Sequence, residues 1–527
     1  KQGYADAKKA LSNILNEKEV NLTIEDFCKY FFDNVNVLRV LVPEDTDLNH
    51  YFEIMNSRGE QLEKHEVLKA KCLEVLDESD RYAFSLIWEA CSNMEKYVQY
   101  GFSTTQRDAI FGNDNSKGLK WNELVSQENV YTILRSDTGT KDADRSDTSI
   151  ADLLKRGAVQ YAEKETSDND NSDRFNTIIN FSNFLLHVLR IQEKQDIALD
   201  DKRLIDLFDP FLKNEENKKS FVKTFGYNLL KSKYLFDRYI IKREFSKGSD
   251  SWSLKRLKWY EQERNKNAVG YVNSFDNTNN TDEESNDDIN REILMLLSMF
   301  HVSTPTLVYK HWLNGALKYV FENEIITSER YKRYLENLAK AFLHKRFLSS
   351  EPADYYNIIY GNDAVTENTE FNVTHTNDEM NKLDCGTAVE NFIFNYLDYL
   401  LWQNYRNDKE YFKIESEKAI DDNRIKEFEY TFRSSVEHYY PQHPIDSNME
   451  LKGADKKWLD NFGNLCLISS SKNSRLSNYM PNAKKDHYQS SLSIDRLKQR
   501  IMMEYASWDT NGRNNKNEIE SKIIYSI

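Results

Sequence analysis

Turn-forming residues are scarce in this chain, with 16 glycines and 7 prolines among 527 residues. A large β-sandwich or barrel needs many more, so a mainly α protein is expected. The five cysteines (Cys28, Cys72, Cys91, Cys385, Cys466) are scattered and form no CxxC pair. That argues against a disulfide framework and against a cysteine zinc site. No apolar run reaches the ~18–20 residues of a membrane span, and no signal peptide opens the chain. A soluble protein of the reducing cytoplasm, with no membrane partner, is therefore expected. Positive charge is in deficit too: the formal net charge is −15. This excludes a surface coated in nucleic acid along its whole length, though not a confined basic site.

Aromatic residues make up 13% of the chain, enough for real cores, and the length calls for two to four domains. The first ~95 residues read as helices, with Leu62, Val67, Leu68, Cys72 and Val75 at helical spacing after a turn at Ser57-Arg58-Gly59. Asp137 to Thr148 and Glu165 to Asp173 are polar and read as surface loops. Phe181, Phe184, Leu185 and Val188 form the stripe of a buried-face helix that carries a structural His187. Further helices are expected at Leu204–Leu212, Phe221–Tyr239, Ser253–Asn265, Ile293–Phe300, Thr306–Phe321 and Thr387–Trp402, with His301 and His311 as structural residues. Asp276 to Asp288 lacks any apolar residue and reads as an acidic flexible linker or insertion.

After Trp402 the period changes. Phe428, Tyr430 and Phe432 alternate as in a half-buried strand, which leads into Glu437-His438-Tyr439-Tyr440-Pro441-Gln442. Gly463-Asn464-Leu465-Cys466-Leu467 and Lys472-Asn473-Ser474-Arg475-Leu476-Ser477-Asn478 follow. Strand, loop, short strand and helix start make a compact hairpin followed by a helix. Hydrolysing a phosphodiester needs a base for the attacking water and a cation for the phosphate. A neutral imidazole, with an unperturbed pKa of ~6.5, suits the first task. A hard divalent ion suits the second and takes oxygen ligands. His438 is the candidate base, Glu437 and Asn473 the candidate metal ligands, and Asn464 the candidate holder of the His438 loop. Adjacent strand residues point to opposite faces, so Glu437 and His438 need a bend near Pro441 to converge. Between Lys472 and Arg500, seven basic residues stand against two acidic ones, a local +5 in an acidic chain. Such asymmetry is expected of a phosphate-binding face, with Lys472, Arg475 and Lys484 as candidate DNA phosphate contacts.

The three blocks E-H-x-x-P-Q, G-N-L-x-L and K-N-x-x-x-S-N resemble the HNH nuclease module of GmrSD-type restriction proteins. They resemble less closely the HNH domain of CRISPR effector nucleases. The resemblance implies a ββα-metal fold binding Mg²⁺ (or Mn²⁺), with His438 as base, Glu437 and Asn473 on the ion, and Asn464 as the middle asparagine of the catalytic set. A second block, Tyr51 to Leu62, resembles the F-x-x-x-N-x-R-G-x-x-L segment of the ParB-like sensor domain of the same proteins. There Asn56 and Arg58, donor-rich residues on a turn, are a candidate nucleotide or sensor site. The Asp-Gly-Gln-Gln-Arg motif usual upstream of that segment does not occur, and since the chain begins at Lys1 a further N-terminal part is expected.

The expected organisation is the C-terminal part of a sensor domain (1–95), a helical middle domain (96–275), the linker (276–288), a helical continuation (289–385) and the nuclease module (386–527). The expected function is metal-dependent cleavage of foreign DNA in an anti-phage restriction system. By the resemblance the DNA is a modified phage DNA and an NTP is the effector. Cutting both strands with single HNH sites would call for a homo-oligomer or for successive nicks. The rival reading is a non-catalytic DNA-binding or regulatory subunit that keeps the HNH fold.

Overall fold

The computed structural model describes residues 23–34, 63–112, 121–136, 174–246, 248–260, 268–275, 283–304, 306, 310–371, 376–407, 425–476, 478–489, 496–505 and 508. Residues 1–58 and 59–527 are two compact units. In the first, helix α1 (Ile24–Asn34) starts at a reciprocal cap. Thr23 Oγ1 accepts from the Asp26 amide at 3.2 Å, and Asp26 Oδ2 accepts from the Thr23 amide at 3.1 Å. Asn56 and Arg58, and the polar stretches 137–148 and 165–173, lie outside the described residues.

The second unit opens with a helical body. It comprises α2 (Lys64–Val75), α3 (Glu78–Ser92), α4 (Thr104–Phe111), α5 (Gln127–Ser136), α6 (Phe181–Glu193), α7 (Leu204–Leu212) and α8 (Lys218–Tyr239). The longest of these, α8, buries Val222, Phe225, Leu229, Leu230 and Phe236 and packs against α3, α6 and α7. Gly226 is what lets α8 come so near: a Cβ there would stand 2.6 Å from Tyr131 Oη and 2.8 Å from Phe84 Cδ2. His187 is wholly buried on α6, its Nδ1 3.3 Å from Asn314 Nδ2, and burial holds its pKa well below the usual value. It is a neutral core residue.

Three antiparallel strands in the order β1 (Phe175–Asn176), β2 (Lys242–Ser246), β3 (Ser249–Ser253) lie beside this body. A separate antiparallel pair joins β4 (Lys255–Tyr260) to β5 (Ala268–Asn273), in the register Lys255↔Asn273 to Tyr260↔Ala268. The helix expected at Ser253–Asn265 is thus a strand over its described part. Trp252, Leu254 and Leu257 are buried and fit either period, and the β-rich segment Ala268–Asn273 supplies the backbone partners that decide between them.

The rest of the helical body is α9 (Glu283–Ser303), α10 (His311–Glu322), α11 (Ser328–Ala341) with a π-helical turn at Phe342–Phe347, and α12 (Tyr355–Tyr360). The acidic stretch read as a linker is helical from Glu283 onward. The helix expected from Thr306 begins only at His311. Among the described residues no helix is long and apolar enough to cross a membrane.

One buried charge cluster fastens α8 to the sheet. Asp237, 1% exposed, accepts from the Val98 amide at 2.7 Å and from Lys233 and Lys242 Nζ at 2.7 and 2.5 Å. Burial pushes Lys242 down to about 8 against the pull of Asp237, and its ammonium also lies 3.7 Å from the Tyr97 ring centre. Replacing Asp237 with alanine leaves two buried ammonium groups without a counter-charge. The expected cost is about 3–5 kcal/mol in urea denaturation. An unchanged midpoint would show that the cluster contributes nothing to stability.

Candidate active site

Helix α13 (Asn391–Asn407) leads out of the helical body, starting four residues later than the expected Thr387. Phe428 and Tyr430 are buried as their alternation requires, yet regular pairing is confined to β6 (Ser435–His438). The carbonyls before it are taken by side chains instead of a strand. Arg291 donates to Phe428 O at 2.8 Å, Trp252 Nε1 to Tyr430 O at 2.7 Å, and Arg496 to Thr431 O at 2.8 Å. β6 pairs antiparallel with β7 (Leu465–Ile468), Glu437 opposite Cys466 and His438 opposite Leu465. Helix α14 (Ser470–Leu476) follows β7 directly, then α15 (Pro481–Gln489) and α16 (Leu497–Glu504).

His438 stands at the end of β6, 8% exposed, with Nε2 3.0 Å from Asp460 Oδ1. A carboxylate at Nε2 favours the tautomer with its proton on that nitrogen and leaves the Nδ1 lone pair free to take another. Nδ1 makes no hydrogen bond among the described residues. Gln442 Nε2 donates to the same Asp460 oxygen at 3.4 Å. The segment ahead of α13 clasps this loop from the other side: Gly386 N donates to Asp460 O at 3.1 Å, and Asp384 Oδ1 accepts from Phe462 N at 3.0 Å. Gly386 has φ +62°, and a Cβ on it would lie 2.6 Å from Asp460 Oδ1. Only glycine meets both conditions without strain.

Asn464 is wholly buried and fully bonded. Its Nδ2 donates to Tyr440 O at 3.1 Å and Leu459 O at 3.0 Å. Its Oδ1 accepts from Tyr440 N at 2.8 Å and Trp508 Nε1 at 3.1 Å. The carboxamide therefore ties the turn after His438 to the loop carrying Asp460.

Glu437 is buried and ion-paired with Lys484, which is 0% exposed and also donates to His438 O at 2.7 Å. Burial raises the Glu437 pKa, and the Lys484 charge opposes it without cancelling it. Lys484 therefore does not sit where a DNA phosphate contact was expected: a lysine enclosed against a carboxylate cannot reach a backbone at the surface. The same correction applies to much of the local +5. Arg496 and Lys498 are buried as well, Arg496 against Asp398 and the Tyr430 ring, Lys498 with Nζ 3.5 Å from the Phe462 ring centre. Lys472 is half-buried, and Arg475 is exposed and bonded to His487.

Asn473 donates to Ser435 Oγ at 2.5 Å. Ser435 and Glu437, two apart on β6, share a face, so Asn473 is brought to the Glu437 side of the strand. Among the described residues no group of three or more His, Cys, Asp or Glu is placed to hold an ion. Glu437 Oε2 and Asn473 Oδ1 make no hydrogen bond among them. Two oxygen donors fit a Mg²⁺-like ion that takes the rest of its shell from water and substrate phosphate, and do not make a closed protein cage. Asp460 was not singled out in the sequence. Its position directly before the Asn461-Phe462-Gly463-Asn464 block was the available signal.

Two outcomes follow from this packing. Asn464→Asp turns two donors into acceptors facing two carbonyls, and should cost roughly 3 kcal/mol or more in urea denaturation. A variant as stable as the wild type would contradict the four-bond account. Asp398, 1% exposed, accepts from Lys498 N at 2.9 Å, but Arg496 stands off at 3.7 Å, an ionic contact and no hydrogen bond. Burial therefore prevails and pushes its carboxyl up to about 6. The folded state then holds this proton more tightly than the unfolded chain, so the stabilisation is full below pH ~4 and is lost as pH rises through about 6. Between pH 4 and 7 the wild type should lose on the order of 2–3 kcal/mol relative to Asp398→Asn. A pH-independent difference would contradict the raised carboxyl.

Residues 360–518 match the family model for the C-terminal domain of GmrSD restriction endonucleases. No curated protein and no solved structure matches the chain. The match spans α13, the β6–β7 pair and the helices after it, and so contains His438, Asp460 and Asn464 together. This part of the chain, residues 360–518, belongs to the GmrSD restriction endonuclease C-terminal domains.

Proposed function

We propose that this domain hydrolyses DNA phosphodiester bonds as an HNH nuclease with His438 as its general base. The observation that carries the reading is the His438–Asp460 contact at 3.0 Å, which orients an imidazole on a strand end fixed by Asn464. In the reaction Nδ1 of His438 takes a proton from water as the water oxygen attacks phosphorus and the bond to the leaving sugar oxygen breaks. Asp460 holds the ring and stabilises the imidazolium that forms. Glu437 and Asn473 would hold Mg²⁺ or Mn²⁺, whose charge would stabilise the phosphate and the leaving oxygen. Of the three candidate phosphate contacts, Lys472 and Arg475 are not buried and keep that role; Lys484 instead keeps Glu437 and the His438 carbonyl in place.

The wider setting is an anti-phage restriction system acting on foreign, modified DNA, with the N-terminal region around Asn56 and Arg58 sensing a nucleotide or the DNA. Its support is the resemblance of the Tyr51–Leu62 block together with the order of the two blocks in one chain. A second reading, a non-catalytic DNA-binding or regulatory subunit, draws on one observation: Lys484 already neutralises the carboxylate that an ion would need.

Nicking of supercoiled plasmid with Mg²⁺ or Mn²⁺ separates the two. The wild type should nick and EDTA should stop it. His438→Ala should lower the rate by about 10²–10⁴-fold, and Asp460→Asn by about 10–100-fold. Metal-independent DNA binding without turnover would favour the binding subunit. Nicking that survives His438→Ala would remove that residue as the base.

A further inference from the structure

Antiparallel pairing gives the β6–β7 hairpin two distinct ends. Ser435 faces Ile468 at one, where Asn473 of α14 is bonded, and His438 faces Leu465 at the other. The connection between the strands leaves from the His438 end and carries Asp460. Its second half is anchored at both margins. Leu451 and Leu459 are buried, and Asn464 Nδ2 donates to Leu459 O at 3.0 Å. Between the two leucines lies a 3₁₀ turn, Gly453–Trp458, entered through a left-handed Gly453 at φ +60°. Asp455 N donates to Lys452 O at 3.2 Å and Leu459 N to Lys456 O at 3.1 Å. The turn is thus fixed to the same loop, and by the same carboxamide, that places Asp460 on His438.

Lys452, Lys456 and Lys457 on this turn are exposed, and among the described residues none of their ammonium groups makes an ion pair or a hydrogen bond. The one contact of the three is Lys457 Nζ, 5.3 Å from the Trp458 ring centre. Other exposed lysines of this acidic chain do find a carboxylate: Lys194 has Glu322 at 3.0 Å, Lys213 has Asp209 at 2.8 Å, and Lys219 has Asp77. The acids of the loop are engaged elsewhere. Asp460 holds His438, Asp446 Oδ1 accepts from Asn448 N at 3.0 Å, and Glu450 lies 4.0 Å from His443. Asp455, within the turn, is half-buried. Unlike Lys484, Arg496 and Lys498, these three lysines have no internal task, and they sit on the loop that orients the candidate base.

We propose that the Gly453–Trp458 turn is a phosphate-binding face for duplex DNA, with Lys452, Lys456 and Lys457 on the backbone at the opposite end of β6 from Lys472 and Arg475. This rests on the nuclease reading above and adds where the substrate lies. A four-residue strand is about 10 Å long, and one strand of a duplex advances about 3.4 Å per phosphate. Cations beyond both ends of β6 therefore grip phosphates on either side of the one at His438. Such contacts set the register of the duplex and read no sequence, so the face serves any base composition.

Fluorescence anisotropy of a labelled DNA duplex, titrated with the full chain in EDTA, reads binding without cutting. Repeating it across salt concentrations counts the phosphate contacts. Replacing all three lysines together (Lys452→Gln, Lys456→Gln, Lys457→Gln) should flatten the slope of log affinity against log salt by about 2–3, since each contact contributes roughly 0.9. Affinity at about 50 mM salt should fall on the order of a hundredfold. Arginine at the same three positions keeps the charges and should restore both the slope and the affinity. If the glutamine variant binds with the wild-type slope and affinity, this inference is wrong and the nuclease reading stands. Failure of arginine to restore binding would also overturn it, because charge would then not be what the turn supplies. If the wild-type chain binds no duplex at all, the nuclease reading falls and takes this inference with it.

Discussion

A single carboxamide organises the candidate active site. Asn464 has two donors and two acceptor positions, and all four are used inside the protein. Because water cannot reach it, no member of that set can be exchanged for solvent. The turn after His438, the loop that carries Asp460 and Trp508 near the end of the described chain are thereby held to one geometry. The contact between His438 and Asp460 is a consequence of that restraint, since a half-exposed aspartate would otherwise choose among many positions.

The same economy governs charge. An acidic chain with a basic C-terminal stretch invites the idea of a DNA-facing patch, yet Lys484, Arg496 and Lys498 are turned inward. Each neutralises a buried carboxylate, caps a carbonyl or lies on an aromatic face. Buried ion pairs of this kind add little net stability over a well-packed apolar core, but they are intolerant of losing one partner. The helical body repeats the pattern at Asp237 with Lys233 and Lys242. Position and burial, and not the count of cations, decide which of them can meet a phosphate.

What the sequence made legible was periodic or chemically marked. The long α6 and α8 stripes, the burial of Phe428 and Tyr430, and the blocks around His438 and Asn464 all carry local signals. The illegible parts were decided by distant partners. Ser253–Tyr260 could be helix or strand until Ala268–Asn273 paired with it. The acids at Glu283 look like solvent-loving linker until they stand at a helix start. Asp460 is an ordinary loop aspartate in sequence and becomes a partner of His438 only through folding across 22 positions. Lys484 likewise looks like a surface cation until Glu437 claims it.

Gly386 stands apart from all of these because its contribution is the side chain it lacks. It sits on the short connection into α13, with a left-handed backbone and Asp460 pressed against its bare Cα. Any other residue would strain the chain at that point and push the carboxylate off the imidazole. A single substitution can therefore disturb this site at a position that a survey of reactive groups passes over. A lineage could lose the orientation of His438 while retaining every residue that does chemistry.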